Sequence, residues 1–153
     1  MNIAITGLPL KLESYFFTNT EVHFAPLKDG EGQYSVNQDI DISTGFAENG
    51  KKKQVTVTIG SDGTDENGNA YNLSYKISVV GNFVNQSEEE ETDKIKAVMY
   101  ANAVSILVGA IRERLAELTA QGPFSTYFLP SLLVSVKTSE KKAAKNNADK
   151  EAD

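Results

Sequence analysis

The sequence has no cysteine, no tryptophan, a single histidine and four prolines in 153 residues. Lacking cysteine excludes disulfides, thiol catalysis, iron–sulfur clusters and cysteine zinc sites together. One histidine, His23, excludes a multi-histidine metal site or a histidine relay within one subunit. Positive charge is also scarce: residues 1–136 carry 10 Lys and Arg against 17 Asp and Glu, while residues 137–153 carry 5 against 4. An acidic body repels phosphate backbones, so nucleic acid is not an expected partner. No uncharged apolar stretch reaches the ~20 residues of a spanning helix. The beginning, MNIAITGLPLKLE, lacks a basic region followed by a long apolar one. Membrane insertion is therefore not expected, and cytoplasmic residence is.

What is present fits one soluble domain: 40% hydrophobic and 24% charged residues. The first 84 residues read as strands. Leu12 to Phe24 is rich in aromatic and β-branched residues, with an irregularity at Thr18-Asn19-Thr20. A second strand is expected from Tyr34, with Tyr34, Val36, Ile40 and Ile42 on one face and Gln38 interrupting it. A third carries Val55, Val57 and Ile59, and a fourth Tyr71, Leu73, Tyr75, Ile77 and Val79. Alternation with one polar face predicts an antiparallel sheet packed on one side. Lys51-Lys52-Lys53 follows Asn49-Gly50 and reads as the solvated end of a hairpin.

The period then changes. Ser87 and Glu90 have capping-box spacing, and a helix is expected from about Glu90 to about Ala120, ended by Gly122-Pro123. Its main apolar stripe reads Ile95, Val98, Met99, Ala103, Ile106, Ala110. A second stripe, Val104, Val108, Ile111, Leu115, Leu118, has no obvious cover in one chain. A subunit interface through Val104, Val108, Ile111 and Leu115 is the expectation. PFSTYFLPSLLVSV reads as an extended segment packed on the body, with a short helical turn at 131–136. From Lys137 the chain has no Leu, Ile, Val or aromatic residue, which predicts a flexible polar tail over 137–153 beside a single domain over 1–136.

No catalytic motif emerges. His23 shares a strand face with Glu21, but no nucleophile is marked nearby, and a surface histidine is expected. Asp62, Asp65 and Asn67 loosely follow a calcium loop, but Asn67 stands where a glycine is needed and Leu73 where a glutamate is. A polar hairpin loop is the reading, with no metal, cofactor or enzymatic activity expected. Phe83, Phe124, Tyr127 and Phe128 lie in irregular segments flanking the helix, where aromatics either latch a segment down or line a groove.

The run from Leu12 to Pro26 (LESYFFTNTEVHFAP) resembles the first strand of the SecB protein-export chaperones. Gly81-Asn82-Phe83 resembles the Gly-x-Phe that closes their fourth strand. Ala103-Val-Ser-Ile-Leu-Val-Gly-Ala-Ile-Arg-Glu113 stands where that family has Cys-Pro-Asn-Ile-Leu-Phe-Pro-Tyr-Ala-Arg-Glu. Gly122-Pro-Phe124 and Leu129-Pro130 are similar to its Gly-x-Phe and Ala-Pro elements. The resemblance implies an α+β, SecB-like fold, a four-stranded antiparallel sheet followed by a long helix on one side, assembled as a dimer of dimers. It also implies ATP-independent holding of unfolded polypeptides, as in protein export. The alternative, suggested by the departures from the family pattern, is a SecB-fold interaction module dedicated to one partner, a toxin–antitoxin or phage accessory protein, without general chaperone activity. The groove residues it suggests are Phe83, Phe124, Tyr127, Leu129, Leu132 and Leu133. Of the acidic positions by which that family docks the SecA motor, Glu21 is kept, but Ala25 and Lys76 stand at two others, which argues against SecA.

Overall fold

The computed structural model describes residues 1–4, 6–27 and 34–137. Four strands, β1 (Leu10–Phe24), β2 (Asp41–Asn49), β3 (Lys52–Ser61) and β4 (Leu73–Asn85), precede one helix, α1 (Asp93–Ala120). All neighbouring strands are antiparallel, in the order β1-β4-β3-β2. The tail expected over 137–153 lies, except for Lys137, outside the described residues.

Period-two alternation builds the core. Val55, Val57 and Ile59 of β3 and Leu73, Ile77 and Val79 of β4 are fully buried on one face, with Phe83 at 1% exposure. Against them α1 sets Ala103, Val104, Leu107, Val108, Ile111 and Leu115. Full burial of a side chain such as Leu107 or Ile111 is worth about 1.5–3 kcal/mol. Gly81 permits the close approach: a Cβ there would lie 2.7 Å from the Phe83 ring and 2.8 Å from a Leu107 methyl. β1 contributes Leu10, Leu12, Phe17, Val22 and Phe24 to the same layer. Its register against β4 shifts twice, between Leu12 and Ser14 and between Phe17 and Asn19. The second shift is the irregularity expected at Thr18-Asn19-Thr20.

The second strand is not where alternation placed it. Residues 34–40 are extended but make only one bridge, Val36 to Leu73. Side chains hold them instead: Asn72 Oδ1 accepts from Ser35 N and Oγ, and the Asn37 side chain donates to Asp62 O and accepts from Asp39 N. Tyr34, Val36 and Ile40 do pack on the core. The alternation therefore picked out three packed residues, but it misplaced Ile42, which is 47% exposed, and Asn37, which is 5% exposed, and it implied the wrong hydrogen-bonding partner. The true β2 is exposed along its whole length, because it is an edge strand that the helix does not cover.

The helix also starts later than expected. Its cap is Thr92, whose hydroxyl accepts from Ile95 N, while Ser87 Oγ accepts from Glu89 N in a turn upstream. The stripe facing the sheet is the one expected to face another subunit, joined by Ala103 and Leu107. Val98 and Ile106 of the supposed main stripe are 43% and 38% exposed. α1 is long and apolar enough to cross a membrane, but its buried stripe meets the sheet.

Residues 123–137 form a strap that runs back along α1. Its backbone is tied to α1 over its middle: Tyr127 N donates to Thr119 Oγ1, and Arg112 donates to Leu129 O and Pro130 O. This is the extended, packed segment the sequence predicts, without the helical turn expected at 131–136. Gly122 makes the turn into it, and any Cβ there would overlap the Phe24 ring.

The hairpin joining β2 and β3 turns on Gly50, whose φ is +59°. Lys51 and Lys52 are exposed as a hairpin end should be, but Lys53 is 3% exposed. Alternation points it into the helix side, where Nζ lies 2.9 Å from Glu48 Oε2 and 2.7 Å from Glu91 Oε2 and donates to Gly50 O. Burial pulls the Lys53 pKa down, but the bonds to Glu91 and Glu48 outweigh it and the net direction is up. Those bonds, with Lys96 and Tyr100, hold the Glu48 carboxyl down at about 2.

Two outcomes are expected. Lys53→Met would leave the nearly buried Glu91 carboxylate unpaired, while Glu48 keeps Lys96, so it should cost about 1–3 kcal/mol, read as a fall in the urea midpoint. Glu48 has a lowered folded pKa, so its contribution is full above the ordinary 4.5 and is lost as pH falls toward about 2. The stability difference between wild type and Glu48→Gln should be constant above pH 4.5 and close below it, measured by urea denaturation at a series of pH values.

Candidate polypeptide groove

The helix side of β2 carries Ile42, Thr44, Phe46 and Glu48, which pair in register with Ile59, Val57, Val55 and Lys53 of β3. Their β3 partners are buried, yet Ile42 and Phe46 are 47% and 51% exposed. The difference arises because α1 lies over β3 and β4 and leaves β2 bare. A concavity of about 290 Å³ results, with Thr44 and Phe46 on one wall, Ala97, Tyr100, Ala101 and Val104 on another, and Val134, Ser135 and Val136 of the strap on the third. Alanines at 97 and 101 keep the helix wall low.

One end of the groove is polar and fixed. Glu48 Oε1 accepts from Lys96 Nζ at 2.9 Å, and Oε2 accepts from Tyr100 Oη at 3.1 Å as well as from Lys53. Tyr100 is thereby held with its ring 4.7 Å from that of Phe46. The Tyr100 hydroxyl pKa is raised by burial first and by the Glu48 carboxylate second. Tyr100 therefore stays neutral and works as an apolar wall with an anchored tip. A second apolar concavity, also about 290 Å³, lies between Leu8, Pro9, Ile95, Val98 and Met99. A larger one, about 420 Å³, is lined mainly by polar side chains such as Glu13, Lys52 and Asn82.

The groove residues expected from the sequence mostly hold the strap down. Phe83 and Leu129 are core, at 1% and 3% exposure. Phe124 stacks on Tyr34 at 4.7 Å and leans on Phe24 at 6.0 Å. Tyr127 packs 5.7 Å from Tyr75. Leu132 is half-buried against the core and Leu133 is 93% exposed, on none of the concavity walls described above. Of the two roles open to aromatics flanking a helix, latch or groove wall, Phe124 and Tyr127 take the first. The interface expected through Val104, Val108, Ile111 and Leu115 is corrected likewise. All four are buried against this chain's own sheet, and only Val104 also reaches the groove.

The remaining singled-out residues are placed as follows. Glu21 and His23 are exposed on the outer face of β1, opposite Lys76 and Ser74. Asp65 organises the loop before β4, accepting from Asn67 N, Asn69 N, Asn69 Nδ2 and Tyr71 Oη. Its carboxylate is thus committed to the loop's own donors, which hold its pKa down. Among the described residues no group of three or more His, Cys, Asp or Glu could hold a metal ion. Sequence reasoning missed Phe46, Tyr100, Val134 and Val136. The available signal was Phe46, a large aromatic alone in a polar run.

No family model matches the sequence, and no curated protein does. Solved structures do. The SecB-like chaperone Rv1957 of Mycobacterium tuberculosis, in complex with a ChAD peptide from the Rv1956 HigA1 antitoxin, is 13% identical with a TM-score of 0.61. The match covers 81% of this chain and 91% of that one. A protein of unknown function from Streptococcus agalactiae is 10% identical with a TM-score of 0.50, over 82% of this chain and all of that one. Four antiparallel strands followed by one long helix over one face are the SecB-like fold, and this chain has it.

Proposed function

We propose that this chain is a divergent SecB-like chaperone that holds unfolded or partly folded polypeptide without ATP and without catalytic chemistry. The observation that carries the reading is the groove along β2, apolar on three walls and bordered by a strand whose outer edge has no partner among the described residues. A client side chain entering it would gain about 1.5–3 kcal/mol. One such anchor gives weak binding, and several grooves brought together in an oligomer would raise the avidity of a long client. Half-exposed Val98 and Ile106 on α1 support assembly into a homotetramer, a dimer of dimers. The acidic body supports solubility of the loaded particle.

A second reading has its own support. The structural neighbour Rv1957 was solved with an antitoxin peptide, and a groove of this size suits a single dedicated partner as well as many clients. On that reading the chain binds one peptide tightly and leaves generic unfolded proteins alone.

Light scattering of a chemically denatured, aggregating substrate distinguishes the two. General holding predicts suppression at stoichiometric protein, with Phe46→Ser weakening it about tenfold, the loss of one good anchor (about 1.4 kcal/mol). Phe128→Ser is the control, since Phe128 is 67% exposed and lines none of the concavities described. No suppression at several-fold excess, with one specific partner captured, would favour the dedicated module.

A further inference from the structure

Resting on the reading of the groove as a polypeptide site, we infer that the bound segment is held by its backbone, as an added antiparallel strand on the outer edge of β2. The direction of the β2 backbone follows from the hairpin. A two-residue turn at Gly50-Lys51 makes Asn49 and Lys52 the closing pair, and the closing pair exchanges hydrogen bonds. Alternation then assigns Ala47, Gly45, Ser43 and Asp41 to bonding with β3. The amide of Asn85 donating to Lys51 O at 2.8 Å fits this parity, since odd residues on the β3 side face β4. It follows that the N–H and C=O groups of Ile42, Thr44, Phe46 and Glu48 point outward. Of these, Thr44 and Phe46 line the groove, Glu48 stands at its polar end and Ile42 continues the same strand face.

Two edges exist, and only one is suited to receive a strand. β1 is interrupted by two register shifts, the kind of irregularity that spoils an edge as a template. β2 pairs with β3 without a shift from Asp41 to Asn49 and contains neither proline nor lysine. It carries two charged residues, Asp41 and Glu48, but none of the lysine, proline or bulge that most often blunts an exposed edge.

Charge selects the occupant. At the start of β2, Asp39, Asp41 and Asp62 are exposed and make no ion pair among the described residues, whereas Glu48 at the far end is already paired to Lys53 and Lys96. A second copy adding its own β2 antiparallel about Gly45 would set apolar Ile42 opposite Glu48, whose carboxylate is already held by Lys53 and Lys96. The fitting occupant is a client segment in extended form, apolar at alternate positions, with a basic residue where it passes Asp41. Such recognition reads main chain first and tolerates sequence, as a holding protein requires.

The probe is a fluorescent ten-residue peptide alternating leucine and serine and ending in arginine, titrated against the full chain. In an antiparallel pair the leucines facing the groove are the residues whose amides point at β2. N-methylation of the leucines should weaken binding at least tenfold, and N-methylation of the serines less than threefold. Thr44→Pro removes an outward N–H without touching the β3 ladder and should also cost at least tenfold, while Thr44→Val, which keeps the N–H, should cost less than threefold. Equal binding of all peptides would overturn the added strand and leave the groove reading standing. Loss on serine methylation alone would overturn the antiparallel arrangement. Absence of both peptide binding and aggregation suppression would remove the groove reading and this inference with it. A mass in sedimentation equilibrium that Thr44→Pro halves would assign the edge to a second copy and overturn the proposal. The peptide arms use the wild-type chain, so they decide the matter even if a Thr44 variant folds poorly.

Discussion

A four-stranded sheet is wider than a helix. Strands spaced about 4.8 Å apart put the outer axes of four of them about 14 Å from one another, while a helix with its side chains is about 10–12 Å across. One helix cannot roof this sheet, and the rest of the architecture follows from where the shortfall is left. α1 settles over β3 and β4, where Gly81 lets Leu107 come close and the continuous inner row from Val55 to Phe83 offers most apolar area. The strap covers the flank of α1, and β2 is left open beside them. The groove is therefore a consequence of covering four strands with one helix and an extended segment, not a feature carved by any one residue.

The groove needs its walls fixed relative to one another, and the Lys53 cluster does this. Glu48 on β2, Lys53 on β3, Glu91 before the helix, and Lys96 and Tyr100 on the helix meet in one set of bonds. Bare β2 makes little apolar contact of its own with α1, so without the cluster the hairpin would be free to swing against the helix. Charge is an effective tie here because Lys53 has little exposure and its two ion partners, Glu48 and Glu91, sit on two separate segments, Glu48 in turn bonding the helix through Lys96 and Tyr100. At the other end of the strap, Thr119, Phe24, Tyr34 and Tyr75 hold Tyr127 and Phe124. Polar bonds close one end of the molecule and aromatic packing the other.

Core strands and the helix were legible because burial imposes a period. Val55-Val57-Ile59 and Leu73 to Val79 could hardly be anything but strands, and the change of period after residue 90 could hardly be anything but a helix. Edges are another matter. β2 is buried on neither face, so DISTGFAEN carries no alternation, while Tyr34 to Ile40 alternates because it packs across the end of the sheet. Stripe assignment on α1 failed for a related reason: the sequence shows apolar positions on two faces but not which face the sheet meets. Lys53 was misjudged because a lysine beside Asn-Gly is nearly always solvated, and its acidic partners, Glu48 and Glu91, are brought to it only by the fold. The resemblance in the motifs found the fold correctly. The groove residues it suggested fell mostly on the latch of the strap, since aromatics that hold an irregular segment and aromatics that line a groove look alike in sequence.

The shallow alanine wall at 97 and 101 bears on what the groove can hold. Larger side chains there would fill the concavity and let the helix close on Phe46, adding burial and stability at the expense of the opening. Small residues instead leave apolar surface unburied, a cost that a monomeric structural domain has no reason to keep. Phe46 and Ile42 stay half-exposed on a strand free of bulges, proline and lysine, where a protein avoiding association would place at least one of them. The composition therefore points one way: an apolar floor, a low wall and a regular backbone edge together leave room for an extended chain and little for a globular surface.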